Sequence, residues 1–564
     1  MYLFHVFRSF LPLHNPIGFG VNDFIQLALA LFLVVLLFAR AWLEPAAQQV
    51  ARKPVWCMLF LGALVVVLRL ALLPMHPVPT PSGADDFSYL LLGDTLAHLR
   101  LANPIHPLHQ FFETTFVLQQ PSYSSIYALG QGIVLAIGQL LFGQPWAGVL
   151  LSMGLAAALC YWMLLGWTSP GWALTGGLLA VMQFGPLNRW MNYYWGGAVS
   201  AVAGCLVFGA LPRLRRDPSI RNAALLGAGI GLQMLTRPFE SIFLDLAVVL
   251  FFVPELRGGE WPKLWRIARP AALALVPFVV LQLAQDKAVT GSFTELPYAL
   301  SRYQYGVPTT FTFQDNAEPH AQLTQAQQLY YEGQAYVHNT AVSVPYFERL
   351  GSRAGFYRFF YLAPLWLALP WFVPLLRQYR YTWIAITIAL FAVGTNVYPY
   401  FFTQYIAALT CLFVLVAVLA LERMNPMAAR WLVILCGAHF LFWYFIHARG
   451  DEQILRAMTP YETADSINFG DPEGRIAINR RLEAAPGRQL VLVRYFSTHA
   501  YHEWIHNAAD IDNSRVVWAL DLPGANDELK RRYPDRTVWL MEPDAIPPRL
   551  VPYPKTHGIF EDVQ

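Results

Sequence analysis

The sequence predicts an all-α polytopic membrane protein of about twelve transmembrane helices plus juxtamembrane helices, followed by a small C-terminal α/β domain. Three observations predict this. The 564 residues are 56% hydrophobic and 15% aromatic but only 13% charged, too little charge to cover a soluble surface of that size. Apolar runs repeatedly reach about 17–25 residues, the length that spans a bilayer. Beyond His447 the charge density rises and polar stretches containing proline take over. The formal net charge of +3 says little about partners, because in a membrane protein the placement of Lys and Arg matters more than their sum.

The apolar spans fall near 23–41, 54–74, 145–166, 172–187, 194–211, 222–237, 239–254, 268–285, 357–376, 381–396, 402–420 and 431–447. The segment before the first span does not resemble a cleavable leader: Arg8 is followed by Pro and Gly, and no small-residue cleavage site follows the span. Under this assignment the basic clusters Arg40/Arg52/Lys53, Arg213/Arg215/Arg216/Arg221, Arg257/Lys263/Arg266/Arg269, Arg377/Arg380 and Arg423/Arg430 share one side, which should be the cytoplasm. The loops 75–144 and 286–356 and the tail then lie outside, in a multi-pass protein of the inner (plasma) membrane. This alternation requires that the run IYALGQGIVLAIGQLLF, from Ile126 to Phe142, lie at the outer interface rather than cross. Its three glycines and two glutamines weaken it as a span. An ordinary crossing is the alternative, and it would place Arg213 to Arg221 outside.

Domain boundaries follow: a transmembrane part, 1–447, and a soluble extracytoplasmic part, 448–564. In the tail, Leu490–Tyr495, Arg515–Leu520 and Arg536–Met541 have strand composition and Asn526–Arg532 reads as a helix, a βαβ-like layer with a parallel sheet. No glycine-rich phosphate loop follows a strand. All five cysteines, Cys57, Cys160, Cys205, Cys411 and Cys436, fall inside predicted spans, so packing is their expected role.

The chemistry-bearing residues gather near the outer loops. Asp85 and Asp86 open the stretch GADDFSYLLLGDTLAHLRLANP. Ionised groups at the membrane boundary are expensive and usually have a role, although Ser82-x-x-Asp85 also reads as a helix capping box. His98, His106 and His109 with Asp94 and Glu113 form a candidate divalent-metal set, without the spacing of a known metal motif; no cofactor is otherwise implied. Arg189, Asn192 and Tyr193 lie in an outer turn rich in aromatics, whose plainer role is an interfacial belt. Arg237 and Glu240 flank Pro238 at another outer turn, where an arginine suits a lipid phosphate and a structural ion pair is the alternative.

An acidic pair opening the first outer loop, a juxtamembrane helix closing it, about a dozen spans and an extracytoplasmic tail together resemble the GT-C glycosyltransferases, which include the protein O-mannosyltransferases and the lipid A aminoarabinose transferases. The runs DDFSYLLLGDTLAHLRLANPIHP, YALGQGIVLAIGQLLFGQPWAGVLLS and MNYYWGGAV are similar to a bacterial group of integral membrane glycosyltransferases within that superfamily. The resemblance implies transfer of a sugar, hexosyl or pentosyl, from a polyprenyl phosphate or pyrophosphate donor to a glycan, lipid or protein acceptor outside the cytoplasm. It implies a general base at Asp85, with Asp86 where many members have Glu, so that either carboxylate is a candidate. Arg237 or Arg302 would stabilise the departing phosphate, with Arg189, Asn192, Tyr193, Glu240 and His98 as further substrate-binding candidates. Relatives commonly begin the juxtamembrane helix with a proline-rich run, where this chain has Ile126-Tyr127-Ala128-Leu129-Gly130, and the extra N-terminal span is a further departure. A lipid or saccharide transporter would instead place charges at mid-span in paired halves, and no internal repeat is visible. A non-catalytic scaffold would use the loops and tail as partner surfaces.

Overall fold

The structure is a computed structural model that describes residues 21–81, 83–450, 474–497, 499 and 502–553. The capping residue Ser82, the segment before the first span and much of the tail's opening lie outside them. In chain order the helices are α1 (Val21–Ala51), α2 (Pro54–Ala71), α3 (Ala84–Ala97), α4 (Leu129–Phe142), α5 (Pro145–Leu164), α6 (Pro170–Phe184), the short α7 (Arg189–Asn192), α8 (Ala198–Arg216), α9 (Ile220–Thr236), α10 (Pro238–Phe251), α11 (Val253–Arg257), α12 (Trp261–Thr290), α13 (Pro297–Tyr305), α14 (Gln325–Ser343), α15 (Tyr346–Phe356), α16 (Tyr379–Thr395), α17 (Thr410–Arg423), α18 (Pro426–Arg449), α19 (Arg475–Ala484) and α20 (Asn526–Arg532). Among the described residues six helices are long and apolar enough to cross a membrane: α2, α5, α8, α12, the Thr403–Arg423 helix ending in α17, and α18. Proline stands in the first turn of α2, α5, α6, α10 and α18, where its missing N–H costs no bond.

One expected span is not a regular helix. The run 357–376 folds as three 3₁₀ pieces, Tyr357–Phe360, Ala363–Leu367 and Leu369–Arg377. Pro364, Pro370 and Pro374 each remove a backbone donor and clash with the preceding turn. Such backbone is tolerated at depth only where protein covers it, and Phe360, Leu362, Leu365, Phe372 and Leu375 are buried in the main core.

The bundle has two chemically distinct ends. α9 starts at Ile220 and delivers Arg237 to the other end about 25 Å away, at about 1.5 Å per residue. At the starting end sit the basic residues: Arg215 pairs with Glu255 at 2.7 Å, Lys263 with Glu260 at 3.1 Å and Arg430 with Glu44 at 2.6 Å. Between the ends the buried side chains are mainly apolar, with Ser152, Thr387 and His439 among the exceptions, and a small cavity there is lined by residues such as Val65, Met153, Cys160, Phe184 and Cys205. The five cysteines are buried and free.

α4 has 14 residues, about 21 Å at 1.5 Å per residue, against a hydrocarbon core of about 30 Å. One face packs on α3 and α5, and Ile137, Leu140, Leu141 and Phe142 are exposed. In the tail, strands β1 (Arg488–Val493), β2 (Val516–Leu520), β3 (Arg536–Glu542) and β4 (Arg549–Pro552) form a sheet of order β2-β1-β3-β4, parallel but for the antiparallel edge strand β4. This sheet packs on the segment 75–144 through a shared core that includes Leu91, Leu108, Phe111, Phe112, Leu490 and Val517.

Candidate functional site

The site assembles where α3, α4, α9 and the segment 398–405 converge. Asp85 lies in the first turn of α3, where the helix dipole favours an anion. Its Oδ1 accepts a short hydrogen bond from the Tyr127 hydroxyl, and Arg237 and Arg189 lie within electrostatic reach. Burial raises the Asp85 pKa above its ordinary 3.8, while Tyr127 and the two arginines pull the other way. The Tyr127 phenol is pushed far above its ordinary value by burial, so it stays protonated and remains a donor. Tyr127 stacks on Tyr89 at 4.1 Å between ring centroids.

Asp86 points elsewhere. It is buried, and its Oδ1 accepts the backbone N–H of Tyr194 at 3.1 Å. Tyr194 in turn donates to the Pro79 carbonyl at 2.9 Å. Asp86 thus fastens the 193–197 turn to α3, and the structure separates two carboxylates that the sequence left interchangeable.

Close approach of backbones brings the charges together. Gly130 in α4 lies so near Thr236 that a Cβ would meet its Oγ1 at 2.2 Å, which seats the following Arg237 beside the start of α4. Gly196 and Gly197 take φ of 83° and 132°, conformations open to glycine. Arg237 lies over the Tyr405 ring at 5.1 Å and within electrostatic reach of Glu240. Glu240 is buried, its Oε1 has no hydrogen-bond partner among the described residues, and no hydrogen bond joins it to Arg237. Arg189 sits among Tyr193, Trp195 and Phe402, with its guanidinium carbon 4.7, 4.8 and 5.5 Å from the three ring centres. Arg302 reaches the same group at one remove: it lies 5.4 Å over Tyr298, and Tyr298 feels Asp85, Arg237 and Glu240.

Other sequence candidates are placed away from this cluster. Asn192 accepts from Arg69 Nε at 2.7 Å and donates to the carbonyls of Pro186 and Asn188 at 3.1 and 2.8 Å, so its polar groups are engaged in the turn. His98 caps the far end of α3, about 20 Å from Asp85 along a helix rising about 1.5 Å per residue. The candidate metal set is dispersed into three pairs: His98 with Asp94 at 3.5 Å, His106 with Asp512 at 3.1 Å and His109 with Glu113 at 3.8 Å. Among the described residues no three ligand-type side chains group as a metal site. Helical and loop geometry points these histidines to different neighbours, which their closeness in sequence hides.

Residues that sequence reasoning missed complete the cluster. Tyr127, Tyr298, Tyr398, Tyr400 and Tyr405 surround Asp85 and Arg237 with phenols, yet in the sequence they blend into the aromatic belt. Arg69, fully buried at the end of α2, donates to Asn192 and to the carbonyls of His76 and Pro77 at 3.0 and 3.1 Å. A lone arginine inside an apolar span was its available signal.

No protein-family model matches the chain, and no curated protein matches it significantly. Among solved structures it is similar to ArnT from Cupriavidus metallidurans bound to undecaprenyl phosphate, at 13% identity over 86% of this chain and 92% of that one, with a TM-score of 0.48. It is also similar to the archaeal oligosaccharyltransferase AglB from Archaeoglobus fulgidus in complex with an inhibitory peptide and a dolichol-phosphate, at 10% identity over 86% of this chain and 69% of that one, with a TM-score of 0.35. At that distance no chemistry transfers, and the site is read from its own residues.

Proposed function

We propose that the protein is a multi-pass membrane glycosyltransferase of the GT-C type, moving a sugar from a polyprenyl-phosphate-linked donor to an extracytoplasmic acceptor. One observation carries the proposal: a partly buried carboxylate, Asp85, is held by a phenol donor within reach of two arginines, at the bundle end opposite the basic cluster. In this reading the acceptor hydroxyl oxygen attacks the anomeric carbon, and its proton passes to Asp85. The carbon–oxygen bond to the lipid phosphate breaks, and the polyprenyl phosphate leaves with the electron pair beside Arg237. A carboxylate with a raised pKa suits general-base work, worth about 100- to 10,000-fold. A phosphate is already a good leaving group, so a second acid is less needed than in glycoside hydrolysis. Orienting the basic end to the cytoplasm places the site at the outer leaflet, with about twelve crossings and the tail, 448–564, outside.

A transporter reading calls for charges at mid-span, whereas the interior cavity there is lined mainly by apolar side chains. The test is a screen of purified protein against polyprenyl-phosphate-linked hexoses and pentoses, scored by release of polyprenyl phosphate. Release that depends on Asp85 is expected. Absence of release across the panel, with flipping of labelled lipid in vesicles, would replace the reading by a transporter.

A further inference from the structure

Beside the charged cluster lies a set of buried polar atoms that the proposed chemistry does not use. Gln131, in the first turns of α4, is almost fully buried at 2% exposure, and neither its Oε1 nor its Nε2 has a partner among the described residues. Trp195 Nε1 and Arg189 Nε are buried and unpartnered as well. Short contacts connect the residues that carry them. A Cβ on Gly196, next to Trp195, would lie 2.8 Å from Gln131 Oε1, and the Trp195 ring reaches to 3.7 Å of one on Gly83, two residues before Asp85. The Arg189 guanidinium is 4.8 Å from the Trp195 ring centre.

Buried polar groups in folded proteins are nearly always hydrogen-bonded, and each exception asks for an explanation. Here an amide, an indole N–H and a guanidinium Nε, each without a hydrogen-bond partner among the described residues, belong to side chains connected by these contacts. An amide offers two donors and one acceptor, which matches neighbouring hydroxyls on a ring that both give and accept protons. An indole N–H and a guanidinium N–H add two donors. The faces of Tyr193, Trp195 and Phe402 around Arg189 supply apolar walls for the C–H side of such a ring. Glycines at 196 and 197 let the backbone pass close to the amide without filling the space before it.

We infer that Gln131, with Trp195 and Arg189, is the hydroxyl-reading face of this site: a specificity-determining contact for the glycosyl group of the donor. The inference rests on the transferase reading and goes beyond it by naming which side chains tell one sugar from another. A site built to hydrogen-bond a hydroxyl rejects the analogue lacking it, because its own buried groups are then left unpaired.

Wild-type protein and Gln131→Leu are compared on polyprenyl-phosphate-linked hexoses and pentoses and on monodeoxy analogues of the sugar that is turned over, with melting temperature measured alongside. The wild type should prefer the parent sugar over one deoxy analogue by about tenfold or more in kcat/KM. Gln131→Leu should lose that preference. It should also melt at or above the wild type, since an unpaired polar group has been replaced by an apolar one of similar size. A variant that keeps the full preference while transferring sugar overturns the inference alone, and the amide is then satisfied by water. Gln131→Leu that melts lower with unchanged kcat/KM per folded molecule also overturns it, in favour of a structural amide. Gln131→Glu, which keeps the acceptor but loses the donors, should shift preference among the deoxy analogues. No turnover of any donor by the wild type removes both this inference and the transferase reading.

Discussion

Asp85 and Asp86 differ in chemistry because successive helical residues point about 100° apart: one meets Tyr127, the other the backbone of Tyr194. In the proposed mechanism Asp85→Asn lowers turnover by about 100-fold or more. The sign of its effect on stability is separate. Burial raises the folded-state pKa of Asp85, so its contribution is present below the ordinary 3.8 and is lost as pH rises through the folded value. At neutral pH, Asp85→Asn should therefore melt at or above wild type, as thermal unfolding in detergent would show. Asp86→Ala should do the reverse, losing about 1–3 kcal/mol by stranding the Tyr194 N–H. Equal melting of the two mutants would contradict this division. Tyr127→Phe removes a bond to the ionised carboxylate; the Asp85 pKa then climbs further, and the rising limb of a kcat–pH profile should move to higher pH. In the proposed mechanism the Arg237 guanidinium, over the Tyr405 ring at 5.1 Å, meets the donor phosphate. Arg237→Ala should weaken donor use by about 1.5–3 kcal/mol, and Arg237→Lys by less, with Glu240→Gln smaller still. If the neutral mutants instead lose stability together, with lipid-donor binding per folded molecule unchanged, a structural ion pair is the better account.

Among elements, α4 and the tail matter most to the site. The 14 residues of α4 make it shorter than the six long apolar helices of the described residues, and the orientation proposed from a non-crossing α4 can be read by labelling. A cysteine placed at Ser219 should be shielded from an impermeant thiol reagent in intact cells, and one at Thr312 labelled; label at 219 would reverse the topology. The tail grips the Asp85 helix along its length. Ala509 N–H donates to Asp94 at 2.7 Å, Tyr123 donates to the Asn507 carbonyl at 3.1 Å, and His506 lies against Phe87 at 4.7 Å. At its edge Asp512 accepts from Tyr533 at 2.5 Å and Arg532 at 2.6 Å, with His106 at 3.1 Å. Those bonds hold Asp512 down to about 2, while burial lowers the His106 pKa below 6.5. A depressed histidine pKa makes the docked state favour neutral imidazole, so docking weakens as pH falls through the ordinary value. Hydrogen exchange across 503–512 should quicken from pH 7.5 to 5.5, and His106→Gln should flatten that dependence; an unchanged pH response in the mutant would assign it to another group.

For the whole molecule, the sequence by itself determined the solvent each part prefers. Long apolar runs with few charges can only be buried in lipid or protein, so the helices near 54–74, 145–166, 222–237 and 431–447 were legible, with ends shifted by a few residues. Strand composition likewise marked Leu490–Tyr495, Arg515–Leu520 and Arg536–Met541, and strands stand at 488–493, 516–520 and 536–542. The run 357–376 was misread because hydropathy counts side chains, whereas Pro364, Pro370 and Pro374 act on the backbone. Asp85 and Arg237 were legible as charges at span ends, where burial of an ion is costly and so informative. What only the tertiary structure decided is which charges meet: that Asp85 lies within reach of two arginines while Asp86 takes the Tyr194 N–H, that Asn192 serves Arg69, that the three histidines part company, and that Gln131, without a hydrogen-bond partner among the described residues, lies against Gly196. Pattern along a chain reports how often a residue type recurs, but hydrogen bonds and ion pairs fall off within a few ångströms. Partners 40 to 400 residues apart are set by helix packing, here through the close approach of Gly130 to Thr236, and a single sequence carries no signal of that distance.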